Sequence, residues 1–214
     1  MITLYGQVVS RAQRVLWLLE ELDVPYCHES VNQTTGESRT PEFCELNPNG
    51  RVPVMTDDDL VLWETIAINY YIATKYGKGS LWPDNPADQA LVMRWSLWIT
   101  NELELSLQNY LRHAILYPKD KRRPELVRDA LEAYPVAMRV LNSHLKNRRY
   151  LVGDRFTLAD LNVASMLGLL DSYKHFDNNE FNDAMVWLVK VLARPARARA
   201  LMLDGANEQQ LQPA

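Results

Sequence analysis

Residues 47–65 read NPNGRVPVMTDDDLVLWET, and this stretch decides how the first third of the chain folds. A short apolar segment carries the step Val52-Pro53 and ends at the polar run Thr56-Asp-Asp-Asp59, which suits a hairpin turn. A second apolar segment leads directly into Glu64-Thr65, where a helix with apolar periodicity begins. The stretch therefore predicts two short strands followed by a helix. An open backbone beside a proline and an anion-ready helix start, about ten residues apart, suit a small peptide-like ligand.

The residues on either side alternate between strand and helix patterns. Residues 2–5 and 26–31 read as strands, and residues 11–22 place apolar side chains at helical spacing. Pro41 stands where a short helix would begin, and another helix is expected over 65–76. The order is strand-helix-strand-helix-strand-strand-helix, which is that of a thioredoxin-like domain with a mixed four-stranded sheet.

The composition changes after this region. Residues 77–86 are rich in Gly, Pro, Ser and Asp and form a predicted linker. Beyond it every periodic segment is helical, with long helices expected over 87–117 and, kinked at Pro135, over 123–146. The predicted fold class is α+β, in three parts: a thioredoxin-like domain over 1–76, the linker over 77–86, and an all-α helical bundle domain over 87–214.

One helix of the second domain has a strong start signal. Thr157-Leu-Ala-Asp160 is a capping box with Asp in place of the usual Glu, and Phe156 and Leu161 occupy the hydrophobic-staple positions. The segment from Leu158 to Leu170 is apolar on nearly all sides, so we expect a central, buried helix. We interpret this box as a feature of folding.

Composition limits the class of protein. The 214 residues carry a net charge of −4 with both signs scattered, so no nucleic-acid face is expected. No apolar run is long enough for a membrane span, and the N-terminus does not resemble a signal peptide. Cys27 and Cys44 imply no disulfide framework, which favours a reducing, cytoplasmic location. No metal is expected, because no metal-ligand spacing connects the four histidines: His28, His113, His144 and His175.

Residues 10–22 read SRAQRVLWLLEEL and look like the start of serine-type bacterial and fungal glutathione transferases. Residues 2–22, 41–76 and 153–170 together resemble the cytosolic glutathione S-transferase superfamily. The resemblance implies glutathione as co-substrate, a small electrophile as second substrate, and a homodimer. It also implies that the Ser10 hydroxyl donates to the glutathione sulfur and stabilises the thiolate. By its position alone Ser10 is a helix cap. Tyr5 is the alternative thiol-activating group, since other branches of the superfamily use a tyrosine near the end of this strand.

The same resemblance assigns the remaining glutathione contacts. It implies a cis Val52-Pro53 bond, with the Val52 N–H and C=O pairing with the cysteinyl backbone. It implies that the Thr65 hydroxyl and nearby helix N–H groups bind the γ-glutamyl carboxylate, while Glu64 accepts from the ammonium. Arg39 and Arg51 are candidates for the glycine carboxylate, because a guanidinium matches a carboxylate in a fork. Without the resemblance, these residues read as an edge strand ending in proline, a capped helix start and two surface arginines.

We therefore predict an enzyme in which glutathione thiolate attacks a small electrophile. Related reactions of the same thiolate stay open: peroxide reduction, dehalogenation, ether cleavage and isomerisation. Two alternatives have no turnover, namely a binding or regulatory module that has lost catalysis and a glutathione carrier. The sequence does not identify the electrophile.

Overall fold

The computed structural model describes residues 1–168 and 176–203, which fall into two units. The first unit comprises residues 1–82 and 193–203, and the second comprises the described residues between 83 and 192. His175 and the end of the helix predicted to reach Leu170 lie outside the described residues. The strands are β1 (Ile2–Tyr5), β2 (Tyr26–Glu29), β3 (Val54–Asp57) and β4 (Leu60–Trp63). The α-helices are α1 (Ala12–Glu21), α2 (Pro41–Leu46), α3 (Thr65–Tyr76), α4 (Pro86–Ile99), α5 (Leu105–Tyr110), α6 (Pro124–Leu145), α7 (Leu158–Leu167), α8 (Asn182–Leu192) and α9 (Pro195–Leu201).

The first unit is built on the predicted mixed sheet. The spatial order is β2-β1-β3-β4, with β1 parallel to β2 and antiparallel to β3, and with β3 antiparallel to β4. β1 and β3 are the central strands, and their apolar side chains Ile2, Leu4, Val54 and Met55 are buried. The predicted order of strands and helices is confirmed, and with it the α+β class.

The turn between β3 and β4 is shorter than the predicted four residues. Thr56 and Asp57 continue β3 and pair with β4, so the turn consists of Asp58 and Asp59. A carboxylate is tolerated in this strand because Asp57, although buried, accepts a hydrogen bond from the Tyr71 hydroxyl at 2.8 Å and pairs with Lys75. The expectation of a turn beginning at Thr56 is therefore wrong.

Residues 193–203 pack with the first unit, whereas the expected helical domain over 87–214 included them. Arg194 donates to both carboxylate oxygens of Glu21 at 2.6 and 2.7 Å, and Arg199 donates to a carboxylate oxygen of Glu20 at 2.7 Å. The two acidic residues end α1, so these ion pairs hold α9 against that helix. The pairing joins residues far apart in the chain, and no local pattern signals it.

The second unit is helical throughout its described elements. The helix predicted over 87–117 is a continuous stretch in which two π-helical segments, Thr100–Glu104 and Leu111–Leu116, flank α5. The helix predicted over 123–146 is α6, which continues through Pro135. Every residue of α7 is buried, and the capping box at Thr157 is present as predicted.

Candidate functional site

Segments that are distant in sequence meet at one edge of the sheet. β1 and β2 run parallel, so the loops that follow them begin side by side. Tyr5 pairs with Val54, and Val54 pairs with Trp63. Val52-Pro53, just before β3, and Glu64, just after β4, therefore lie at the edge where β1 ends. This register brings together the chain segments that contain the predicted site residues.

Ser10 lies in the connection between β1 and α1 and is partly buried. Its hydroxyl donates to the Gln7 carbonyl at 2.6 Å, and its oxygen accepts from the Ala12 N–H at 3.1 Å. Ser10 thus accepts from the N–H of the first residue of α1, but the N-cap of that helix is Arg11, which makes no side-chain cap hydrogen bond. Rotation about the Cβ–Oγ bond can redirect the proton while the Ala12 N–H still donates to the oxygen.

Gly6 allows this connection to approach Val52 closely. It has φ +137, and a Cβ placed on it would lie 2.9 Å from the Val52 Cβ and 3.0 Å from the Ala12 Cβ. The Gly6 carbonyl lies 2.7 Å from Nε2 of His28 on the neighbouring strand. Sequence reasoning gave His28 no role, because its contact depends on the pairing of β1 with β2. A lone glycine directly after a strand was the only available signal for the close approach.

The main chain of Val52 is available for pairing. The Val52–Pro53 peptide bond is cis, as the resemblance implies. The Val52 N–H makes no hydrogen bond within the described residues, and its carbonyl accepts only a 3.5 Å contact from the side chain of Gln33 there. A free N–H and C=O on one residue can pair with the main chain of an extended peptide ligand.

Arg39 and Arg51 flank the same glycine. A Cβ on Gly50, which has φ +57, would lie 3.3 Å from Cγ of Arg39. The buried Ser38 hydroxyl donates to the Gly50 carbonyl at 3.0 Å, and the Asn47 side chain donates to the Arg51 carbonyl at 2.7 Å. Both arginines are exposed, and neither forms an ion pair with the described part of the chain. Sequence reasoning missed the two residues that fix this turn, Ser38 and Asn47.

Glu64 has an unusual backbone conformation at the start of α3. Its φ of 74° and ψ of 114° lie in a region that residues other than glycine rarely adopt. Such strain is concentrated at ligand sites, where the surrounding structure maintains it. The Glu64 side chain is exposed and has no ion-pair partner among residues 1–168 and 176–203, whereas Thr65, the first residue of α3, is 5% exposed.

Tyr5, the alternative to Ser10, packs against α2. Its ring lies 6.4 Å from that of Phe43 in an edge-to-face arrangement. It joins the apolar cluster of Phe43, Val52 and Val54, and it lines a cavity of about 300 Å³ together with Leu46. These contacts give Tyr5 a packing role.

No helix among the described residues is both long enough and apolar enough to span a bilayer. No group of three or more His, Cys, Asp or Glu side chains among them could hold a metal ion.

Comparison with known proteins gives a consistent result over both units. Residues 1–74 match the family model of the glutathione S-transferase N-terminal domain, and residues 108–195 match that of the C-terminal domain. Glutathione S-transferase GstB of Escherichia coli (strain K12) is 31% identical over 190 residues, covering 87% of this chain and 86% of that protein.

Solved structures agree with the sequence comparison. Glutathione transferase URE2P8 from Phanerochaete chrysosporium, solved with oxidized glutathione, has a TM-score of 0.86 at 27% identity and covers 96% of this chain and 97% of its own. The theta class glutathione S-transferase from Xanthomonas axonopodis pv. citri, solved with glutathione bound, has a TM-score of 0.83 at 30% identity and covers 94% of this chain and 97% of its own. From the sheet topology, the matched family models and these relatives, we conclude that the chain belongs to the cytosolic glutathione S-transferase superfamily.

Proposed function

We propose that this protein binds glutathione at the sheet edge and activates its thiol for attack on a small electrophile. The observation that carries the proposal is the Val52 N–H, which has no hydrogen-bond partner among the described residues, beside a carbonyl that accepts only the 3.5 Å contact from Gln33. The exposed charges of Arg39, Arg51 and Glu64 in the adjoining segments likewise have no ion-pair partner there. Glutathione offers matching groups, since it has two peptide units, two carboxylates and one ammonium. The named relatives, including those solved with glutathione, support the same ligand.

Each group of glutathione has a proposed partner. The cysteinyl N–H and C=O pair with the main chain of Val52 before Pro53. The γ-glutamyl carboxylate accepts from the Thr65 hydroxyl and the first N–H groups of α3, while Glu64 accepts from the γ-glutamyl ammonium. Exposed arginines next to Gly50 take the glycine carboxylate in a fork: Arg39 and Arg51.

Ser10 is the proposed thiol-activating residue. A free thiol has a pKa near 8.5, so only a few per cent is ionised at neutral pH. Lowering that pKa by two units needs about 2.7 kcal/mol of preferential stabilisation of the thiolate. A charge-assisted hydrogen bond from the Ser10 hydroxyl, together with the N-terminal end of α1, supplies an interaction of this size. The thiol proton passes to solvent, and the sulfur then forms a bond to the electrophilic carbon as the leaving group departs with its electron pair.

We propose a homodimer in the cytoplasm, with residues 1–76 as the glutathione-binding domain and the helical part contributing to binding of the second substrate. Peroxide reduction, dehalogenation, ether cleavage and isomerisation use the same thiolate and are alternatives for the overall reaction.

The test is the ultraviolet absorbance of the thiolate of bound glutathione, titrated from about pH 5 to 9 around the free-thiol pKa. We expect a midpoint well below that of free glutathione in the natural protein and in Tyr5→Phe. Ser10→Ala should raise the midpoint and reduce turnover about a hundredfold while changing affinity little, as expected for a group that acts mainly on the thiolate. Ser10→Thr retains a hydroxyl and controls for the loss of the cap.

Other results would change the assignment. A raised midpoint in Tyr5→Phe together with an unchanged one in Ser10→Ala would transfer the role to Tyr5. A free-like midpoint in the natural protein, with retention on immobilised glutathione, would indicate a carrier. A lack of retention would indicate a binding module.

A further inference from the structure

Trp95 on α4 carries a buried polar group without a partner. The residue is 3% exposed, and its indole N–H makes no hydrogen bond within the described residues. Buried polar groups nearly always have a partner, and an exception calls for an explanation such as an ion supplied from outside the chain. An indole N–H is only a donor, so the missing partner is an acceptor.

Two basic side chains, Arg94 and His144, lie beside this indole ring. Cζ of Arg94 lies 5.5 Å from the centroid of the Trp95 ring, and the His144 ring of α6 lies 4.7 Å from it. Burial lowers the pKa of His144, its hydrogen bond to the Leu151 carbonyl opposes this effect, and the charges of Arg148 and Arg94 lower the pKa further. Arg148 follows His144 by four residues, and its N–H donates to the Leu145 carbonyl at 2.9 Å, directly after His144.

The two arginines have no carboxylate partner in the described part of the second unit. Neither Arg94 nor Arg148 forms an ion pair with residues 83–168 or 176–192, whereas Arg194 in the first unit is paired with Glu21 through two hydrogen bonds. Like charges close to one another disfavour protonation of a neighbouring histidine, and an anion placed among them reverses that effect.

We propose that Arg94, Trp95, His144 and Arg148 form a binding site for a small oxyanion that carries a phosphate or sulfate group. The arginines supply fork-shaped donors for its oxygens, and Trp95 supplies the indole N–H. Nε2 of His144 lies 2.9 Å from the Leu151 carbonyl, so it carries a hydrogen, and Nδ1 takes up a proton and becomes a further donor when the anion binds. The Arg94 side chain is exposed, and its guanidinium lies over the indole ring of Trp95.

The oxyanion site is independent of the proposed glutathione site. All four of its residues belong to the second unit, and every predicted glutathione contact belongs to the first. The failure of one proposal therefore does not affect the other. Glutathione affinity, measured alongside, should be the same in all the variants named below.

The test is an NMR titration of the His144 imidazole in the full-length protein with inorganic phosphate and, separately, with sulfate. Sodium chloride at equal ionic strength is the control. We expect saturable shifts and a raised His144 pKa with the oxyanions and no saturable shift with chloride. Arg94→Gln and Arg148→Gln should each weaken phosphate binding roughly tenfold, the effect of losing one charge-assisted hydrogen bond. Arg139→Gln removes an exposed charge from α6 and should bind phosphate as the natural protein does.

Trp95→Phe tests the indole N–H directly, because it keeps an aromatic ring and removes the donor. Its phosphate affinity should fall several-fold while its circular dichroism spectrum stays unchanged. Three results would overturn the proposal: identical His144 shifts in phosphate and chloride, equal phosphate affinity in Arg94→Gln and Arg139→Gln, or undiminished binding by Trp95→Phe.

Discussion

Replacing Asp160 tests how much the capping box of α7 contributes to the stability of the second unit. This carboxylate is 0% exposed and accepts four hydrogen bonds. Oδ1 accepts from the Leu151 N–H and the Trp187 indole N–H, each at 2.9 Å. Oδ2 accepts from the N–H and the hydroxyl of Thr157 at 3.0 and 3.2 Å. One side chain thus joins the start of α7 to the preceding loop and to α8.

The expected magnitude follows from the donors that lose their acceptor. Asp160→Ala leaves three buried N–H groups unpaired, on Leu151, Thr157 and Trp187, and each costs about 1–3 kcal/mol. We expect a loss of roughly 5 kcal/mol in the free energy of unfolding, and a Tm lower by about 10–20 °C for a chain of this size.

Two milder substitutions in the same network should destabilise the protein less than Asp160→Ala. Asp160→Asn can keep its oxygen at the Oδ1 position and leave only the Thr157 N–H unpaired, which should cost roughly 2 kcal/mol. Thr157→Ala removes one capping hydroxyl and should cost roughly 1 kcal/mol, or about 2–4 °C in Tm. Asp154→Ala is the matched control, because Asp154 is exposed and lies outside the network.

The assay is thermal and urea unfolding of the four variants, followed by circular dichroism at a helix-sensitive wavelength. The expected order of destabilisation is Asp160→Ala, Asp160→Asn, Thr157→Ala, Asp154→Ala. A Tm for Asp160→Ala equal to that of Asp154→Ala would refute the reasoning, since three buried donors would then have lost their acceptor at no cost.

Three further substitutions test the first unit. Glu64→Ala should weaken glutathione binding about tenfold, the effect of losing one charge-assisted contact, and leave the pKa of the bound thiol unchanged; normal affinity in a calorimetric titration would rule out the proposed contact with the ammonium. The ion pair with Lys75 lowers the pKa of Asp57 in the folded protein. The stabilisation from this ion pair is therefore present above the pKa of Asp57 in the unfolded chain and is lost as the pH falls through its lower pKa in the folded protein. On acidification, the urea midpoint of Asp57→Asn should change less than that of the natural protein. Arg194→Ala removes the guanidinium that donates two hydrogen bonds to the buried Glu21 carboxylate, and it should lower the free energy of unfolding in urea by roughly 2–4 kcal/mol. An unchanged urea midpoint would contradict the structural role of this pair.

Local patterns predicted most of the element order. Apolar periodicity located α1 and α3, the capping box located the start of α7, and Pro41 marked the start of α2. The polar run beginning at Thr56 predicts a turn, yet Thr56 and Asp57 pair inside β3, and Asp57 accepts a hydrogen bond from Tyr71 there. A strand end depends on its partner strand, and the sequence of one segment does not contain that partner.

The candidate site was predictable only as a set of separate residues. Ser10, Pro53 and Glu64 were named because each stands at the start of a helix or beside a strand, and the resemblance connected them. The contacts of Gly6 with Val52 and of His28 with Gly6, by contrast, exist only because β1 pairs with both β2 and β3. The positive φ of Glu64 is likewise a property of the folded chain.

The sequence by itself determined the α+β class, the order of elements in the first unit and the capped core helix, because these depend on periodicity and caps that act within a few residues. Only the tertiary structure decided the packing of α9 on α1, the convergence of the site segments at one sheet edge, and the group of basic side chains around Trp95. These features join residues that are tens of positions apart, as in the pair Glu21 and Arg194. They form only when strand register and helix packing bring the two partners together, and that information is spread over the whole chain.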